Sequence, residues 1–529
     1  MTKRVVKGAM LLTIAGLISK VLSAAYRIPL QNLTGDLGFY IYQQVYPIIG
    51  TVMILSLYGF PVAISKLTVE TIKENKPLTM KHFYFPLLLI LFSINSLFFI
   101  FIYFASPFIA ESIGDQQLQK AFQLAAFLFL FMPFLALLRG VFQGKEEMKQ
   151  TAYSQVIEQV FRVTIIIAVA YFIFTGKLEL YRIGEAGVLA TMTGMIVAIL
   201  FLSFITWKRY KREKVMKHVN IPWRYYFYVC VSIGFIASLN HMILILIQLA
   251  DVLTLVPNLV EYGLSPIQAM ESKGVFDRAQ PLIQFGIVFG SSFALALIPA
   301  VVQGMEKHKE NDLYVSIQEA IAFSFYIAFG ATVGLIILLP ETNILLFTNT
   351  DGTRSIQILV LSILLTSITI TACAILQGIN QIRQPVIWIC IAFLIKLVLN
   401  ELLVPIWGIG GSAIATVISL SILCSLILTT LYKKLSGLSI FKLVNWKAFF
   451  FANGGMMIYL LLVKGLFTVK ELSRLQMGVY VLFLVFSGAF IYLLLLLRYK
   501  AFTKNQLLAL PFSSKITKLE KFVERKSNR

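Results

Sequence analysis

Long apolar runs alternate with short polar stretches along the whole of this chain. A membrane-spanning helix needs about 20 mostly apolar residues. By that measure about fourteen runs qualify, with cores at 8–30, 42–65, 83–106, 121–143, 153–174, 184–206, 225–256, 279–303, 313–339, 356–378, 384–405, 408–432, 446–467 and 475–497. They fall into two groups of six and a final pair. The pattern predicts an all-α integral membrane protein. Residues 1–212 form an N-lobe with helices 1–6, and residues 213–434 a C-lobe with helices 7–12. Residues 435–500 carry helices 13 and 14, and 501–529 form a basic tail.

Composition agrees with this reading. Apolar residues make up 58% of the chain, charged residues 13%, and the mean hydropathy is +0.82, whereas soluble domains carry about a quarter charged residues. A net charge of +21 would point to nucleic acid in a soluble protein, but its placement excludes that partner. About 33 of the 46 Lys and Arg fall in the N-terminus, the even-numbered loops and the tail, with 208–214 the densest cluster. That bias places both termini in the cytoplasm. The opening resembles a signal peptide, but Lys20 interrupts its apolar run, so the segment is read as a retained helix.

Four scattered cysteines without a CxxC and four scattered histidines offer no disulfide framework and no zinc site, so no cofactor is expected. Walker A, GxSxG and HExxH motifs are absent, and no loop exceeds about 25 residues. The expected class is a transporter, not an enzyme, with an ion gradient, the membrane potential or the substrate gradient as candidate drivers. Ile516, Leu519, Phe522 and Val523 lie at helical spacing in the tail. They suit either a short helix on the anionic inner leaflet or a solvated extension.

A faint duplication links the two groups of six. Phe142-Gln143-Gly144 recurs as Leu376-Gln377-Gly378, an offset of 234 that also carries Arg162 onto Lys396 and Pro47 onto Pro281. Gly184-x-x-Gly187 recurs as Gly408-x-x-Gly411 at an offset of 224. An even number of helices per copy keeps both copies in one orientation, a common plan for transporters with the substrate path between repeats.

Ionisable residues at bilayer depth are costly and mark cavities or pathways. Lys20 lies near the middle of helix 1, and Arg27 follows at i+7 beyond the small residues Ser23 and Ala24. This is a cationic stripe suited to an anionic substrate, unless Arg27 snorkels to the interface. Helix 5 carries Glu158 and Arg162 at i,i+4, either an intrahelical pair or a cavity lining. Helix 7 aligns Asn240, Gln248 and Asp251, and this buried acid should have a cation beside it. Lys396 on helix 11, with Asn400 one turn on, is the candidate. Asp277-Arg278 heads helix 8, as a functional pair or as an interface anchor. Gly59, Pro61, Pro133 and Pro299 interrupt helices, as in transporters that bend and in membrane helices generally.

Lys7-Gly8-Ala9, the run Leu17-Ile18-Ser19-Lys20-Val21-Leu22-Ser23-Ala24-Ala25-Tyr26-Arg27-Ile28-Pro29-Leu30, and Gly35-Asp36-Leu37-Gly38-Phe39-Tyr40 resemble the polysaccharide-biosynthesis flippases of the MOP exporter superfamily. The likeness is greatest to the branch of the lipid II flippase MurJ and stage V sporulation protein B of Gram-positive bacteria. Arg139-Gly140-Val141-Phe142-Gln143-Gly144, and Asp277-Arg278 with Pro281, fit the same branch.

The resemblance implies transfer of undecaprenyl-pyrophosphate-linked glycans, lipid II first among them, from the inner to the outer leaflet of the bacterial plasma membrane. It places the pyrophosphate against Lys20, Arg27 and Arg278, and the lipid tail against helices 13 and 14. Glu158 and Arg162, read from their place on helix 5, are added as residues of the headgroup cavity. Some members bind sodium between helices 7, 11 and 12. The matching positions are Asp251, Lys396, Asn400 and Thr416, where a lysine departs from a sodium site. Membrane lipids and cell-wall synthesis proteins are the implied partners. The alternatives are a cation-coupled exporter of drugs or metabolites of the related MATE branch, and a scaffold of wall synthesis that does not transport.

Overall fold

A computed structural model describes residues 3–209, 221–291, 310–379, 381–435, 444–466 and 472–502. Among them there are helices and no strands. In chain order these are α1 (Lys3–Ala25), α2 (Arg27–Ile54), α3 (Phe60–Lys73), α4 (Phe85–Ile113), α5 (Gln119–Gly144), α6 (Met148–Phe174), α7 (Arg182–Arg209), α8 (Trp223–Val229), α9 (Ile236–His241), α10 (Ile243–Glu261) and α11 (Pro266–Asp277). There follow α12 (279–291), α13 (Glu310–Phe347), α14 (Thr353–Val360), α15 (Ser362–Gly378), α16 (Arg383–Trp407), α17 (Ile409–Lys434), α18 (Trp446–Leu466) and α19 (Arg474–Arg498).

Twelve stretches of the described residues are long and apolar enough to cross a bilayer. The first, Ile14–Lys73, contains both of the first two predicted helices, so thirteen of the fourteen are present. The predicted helix 8 leaves the described residues at 292. Pro299, the basic loop beyond 209 and the amphipathic tail residues also lie outside them.

Irregularities mark several of these helices, and the one at Gly35 falls in the gap between the first two predicted cores. The chain turns inside α2 at Gly35, whose φ of 69° favours glycine. It then widens into a π-helix over Leu55–Gly59, immediately before the first turn of α3. Pro61 there has no N–H to donate, which breaks the regular hydrogen-bond register. Predicted helix 7 is not continuous: a further π stretch at Cys230–Phe235 and a break at Met242 divide it into α8, α9 and α10.

The chain forms two compact units, Met1–Asp277 with Leu397–Gly408, and Arg278–Lys396 with Ile409–Arg529. In the first, α5 packs on α3 and α4, α6 on α1 and α7, and α11 on α2. Gly140 and Gly144, one turn apart on α5, let α3 approach closely. A Cβ at Gly140 would sit 2.5 Å from Ile64 Cβ, and one at Gly144 would sit 2.5 Å from Thr68 Cβ. With no hydrophobic driving force between helices in lipid, such small-residue contacts supply the packing.

In the second unit α13, α15 and α17 pack together, and α18 and α19 pair on α13. Tyr492 anchors α19 by donating its hydroxyl to the Tyr326 carbonyl at 2.7 Å, inside a buried cluster with Phe323, Phe449, Met456 and Leu460. The opposite face of α19 leaves Leu475, Val479, Phe483, Phe486 and Phe490 exposed at helical spacing, as a lipid-facing surface requires.

Candidate functional site

The first unit holds a buried guanidinium. Tyr26 joins α1 to α2 in helical geometry, so Arg27 starts α2 pointing inward with 0% exposure. Its Cζ lies 4.0 Å from the centre of the Tyr46 ring. Beside it the Tyr26 and Tyr42 rings meet edge to face at 6.1 Å, and their hydroxyls are hydrogen-bonded to each other. The Tyr26 and Tyr46 hydroxyls lie beside the Arg27 guanidinium, but no well-aligned hydrogen bond from Nε, Nη1 or Nη2 forms among the described residues. Lys20 stands on α1 and is exposed. The two predicted cations therefore occupy different environments.

Burying an ion costs several kcal/mol unless it is paired. A desolvated cation–π contact returns about 2 kcal/mol, so Arg27 is arranged for a further negative partner.

Arg162 is also fully buried, with its Nη2 on Gln159 Oε1 and its Nη1 against the Met53 sulfur. Glu158 does not pair with it. The Glu158 carboxylate takes Arg139 Nη2 at 2.7 Å from α5. Arg139 also donates through Nε to Ser154 Oγ at 3.0 Å and through Nη1 to Ser56 Oγ at 3.4 Å. The pair is interhelical because the Arg139 side chain reaches α6 from one neighbouring helix, whereas Arg162 turns towards Met53 on α2. Arg139 was legible only as part of a family motif. The stronger signal is that it is a lone cation in the apolar run of α5.

The break between α9 and α10 presents two polar residues. Asn240 is 6% exposed, and neither its Nδ2 nor its Oδ1 has a partner among the described residues. His241 stacks on Tyr58, at 4.5 Å between centres and 24° between planes. Below them on α10, Asp251 accepts from Asn400 Nδ2 at 3.0 Å, and the same amide reaches Thr254 Oγ1 at 2.8 Å. On α11, Lys273 Nζ meets Asp277 Oδ2 at 2.5 Å, both buried, and Asp277 feels the charges of Asp251 and Arg27.

In the second unit, Lys396 is fully buried and donates to the Ser412 carbonyl at 2.8 Å and to its Oγ at 2.9 Å. Thr416 Oγ1 donates to the same carbonyl at 2.9 Å. Arg278, also fully buried, gives Nη1 to Asn349 Oδ1 at 2.5 Å and lies over the Phe347 ring at 5.3 Å. Among the described residues no three His, Cys, Asp or Glu side chains are grouped to hold a metal.

Comparison with known proteins follows the same lines. Residues 5–305 match the family model described as polysaccharide biosynthesis protein, and residues 274–402 match the MatE model. The chain is 35% identical to the uncharacterized membrane protein YabM of Bacillus subtilis (strain 168), over 97% of its own length and 96% of that protein. It is 24% identical to the lipid II flippase MurJ of the same organism, over 79% and 80% of the two chains. With stage V sporulation protein B of that organism it shares 25% identity, over 81% and 84%.

Among solved structures, the lipid II flippase MurJ in an inward closed conformation superposes with a TM-score of 0.67 at 14% identity, covering 92% of this chain and 98% of that one. An inward-facing multidrug resistance MATE family transporter of the MOP superfamily gives 0.63 at 16% identity, covering 81% and 98%. The chain belongs to the polysaccharide biosynthesis protein family, and its fold is that of these membrane transporters.

Proposed function

With that membership as premise, we propose that the protein is an alternating-access flippase for undecaprenyl-pyrophosphate-linked glycans, lipid II first among them. One observation carries the reading: Arg27 is wholly buried among tyrosine rings, and no carboxylate is hydrogen-bonded to its three nitrogens among the described residues. A diphosphate is the natural complement, because its oxygens accept charge-assisted bonds from a guanidinium in a fixed fork geometry. Lys20, exposed one helix earlier, supplies a mobile second cation. Arg278 is a further basic candidate, tested separately below. The prenyl chain would stay in lipid while the headgroup crosses, and rocking of the repeats would expose it to the other side.

Asp251, Asn400, Lys396 and Thr416 are read as the coupling residues. Lys396, held by a backbone carbonyl and a hydroxyl, serves as a resident ammonium where a coupling sodium would otherwise be needed. Export of organic cations, favoured by the match of residues 274–402 to the MatE model, is the second reading. A buried arginine with no carboxylate bonded to it repels such a cargo.

The test is complementation of a bacterium depleted of its own lipid II flippase, with lipid II on the outer face as the readout in sodium and in potassium medium. Wild type is expected to rescue in both media, while Arg27→Met and Lys20→Ala/Arg278→Ala, inserted at matched levels, fail. Arg27→Met should also unfold at a higher temperature than wild type, because it removes a buried charge. Rescue by Arg27→Met would overturn the assignment of the diphosphate to Arg27. No rescue by inserted wild type would exclude lipid II as cargo.

A further inference from the structure

Tyr58 and His241 meet only because two helices depart from regular geometry. Tyr58 lies in the π stretch Leu55–Gly59, and His241 is the last residue of α9 before the break at Met242. Irregular backbone at membrane depth is tolerated where it is buried in protein or lines a cavity. π-bulges and discontinuous helices gather at functional sites for the same reason.

His241 is exposed and Tyr58 is half-buried, so the stacked pair keeps ring surface accessible. Polar groups surround it. Lys20 acts electrostatically on His241. Gly16 lies one turn before Lys20 on the same face of α1. A Cβ there would lie 3.5 Å from the Tyr58 hydroxyl and 3.8 Å from Gln155 Nε2. Asn240, adjacent to His241, holds an amide with both ends unpartnered among the described residues. The mechanism above uses neither ring and neither amide.

We propose that the Tyr58–His241 stack is the platform for a sugar ring of the transported lipid, with Lys20, Gln155 and Asn240 serving its hydroxyl and amide groups. The inference rests on the flippase reading and names the part of the cargo that the reading leaves free. A pyranose presents an apolar face of C–H bonds and an equatorial rim of polar groups. An aromatic face bordered by hydrogen-bonding side chains is its physical complement: mostly apolar surface with a few placed polar groups. Lys20 would then stand where phosphate and sugar join, within reach of both.

The experiment uses the full-length protein in lipid nanodiscs and two probes: undecaprenyl diphosphate, and the same lipid carrying one N-acetylhexosamine. The readout is the ratio of the two dissociation constants. An aromatic contact is worth roughly two- to tenfold in affinity. His241→Leu should weaken binding of the glycosylated lipid by about that factor and leave binding of undecaprenyl diphosphate unchanged, which also shows that the variant is folded. His241→Phe should restore the ratio by restoring a ring. An unchanged ratio in His241→Leu, or equal losses for both lipids, would overturn the platform. If wild type binds neither lipid, the flippase reading itself falls and the platform with it.

Discussion

The two copies of the repeat can be compared residue by residue at the offset of 234. In the first, Gly114 takes a φ of 81° and Asp115 Oδ1 accepts from the Gln117 N–H at 3.1 Å. In the second, Thr348 takes a φ of 66° and Asn349 Oδ1 accepts from the Asp351 N–H at 3.2 Å. The following helices both end on Gln-Gly, at Gly144 and Gly378, and the next pair buries Arg162 and Lys396. The copies differ at bilayer depth. Where the first buries the Arg139–Glu158 pair, the second buries Cys373 and Ala392. The same hairpin therefore forms with an ion pair or with two small apolar residues. A buried pair seldom repays its desolvation relative to apolar replacements. Its presence in the first copy alone makes it a candidate for a role beyond folding.

Copying the second sequence into the first should separate these roles, with the largest effect of the comparison. Arg139→Cys leaves the Glu158 carboxylate buried without its cation, and a loss of about 3–5 kcal/mol is expected. Glu158→Ala strands Arg139 in the same way. The double variant Arg139→Cys/Glu158→Ala removes both charges and should recover most of the stability while failing to transport. Thermal unfolding of the four proteins in one detergent, with flipping measured in proteoliposomes, gives the coupling directly. A double variant as unstable as the worse single would show that the first copy needs its ion pair to fold.

The repeat was legible because Gln-Gly, proline and buried cations persist at a fixed spacing, and the spanning helices were legible because lipid demands long apolar runs. The pairing of Glu158 was not. Glu158 and Arg162 satisfy the i,i+4 rule, and nothing in the sequence of α6 says that Arg139 approaches from α5 at 2.7 Å. The meeting of Tyr58 with His241 was equally hidden, since a π stretch and a helix break leave no imprint on hydropathy when the residues around them stay apolar. Gly59 and Pro61 marked the place without giving the geometry.

The two turns allow a smaller test. A left-handed conformation costs an ordinary residue about 1–2 kcal/mol. Thr348 bears that strain, and Gly114 avoids it. Thr348→Gly should stabilise the protein by about 1 kcal/mol and Gly114→Thr should destabilise it by about 1–2 kcal/mol. Equal and negligible shifts in melting temperature would mean that the two turns relax and are not held as equivalents.

The smallest expected effect concerns charge in those same turns. Asp115 is 3% exposed, and burial raises its pKa above the ordinary carboxylate range; Tyr181 donates to Oδ2 at 3.0 Å without reversing this. A folded-state pKa above the unfolded value of about 3.9 means that ionisation opposes folding. The stability is fully present below the unfolded value and is lost as pH rises through the folded one. Asp115→Asn, the residue of the second copy, should therefore flatten the fall in melting temperature above pH ~4. The reverse change, Asn349→Asp, should act with the opposite sign, because the new carboxylate would face the Arg278 guanidinium that now donates at 2.5 Å. Such a carboxylate ionises more readily when folded, so its stabilisation builds as pH rises through the folded value and is fully present above the unfolded one. Melting curves of both variants from about pH 2 to 8 would show Asn349→Asp adding a rise below pH ~4 and Asp115→Asn removing a fall above it; the absence of both changes would mean that the neighbours, a hydroxyl in one copy and a guanidinium in the other, do not set the charge preference of the turn.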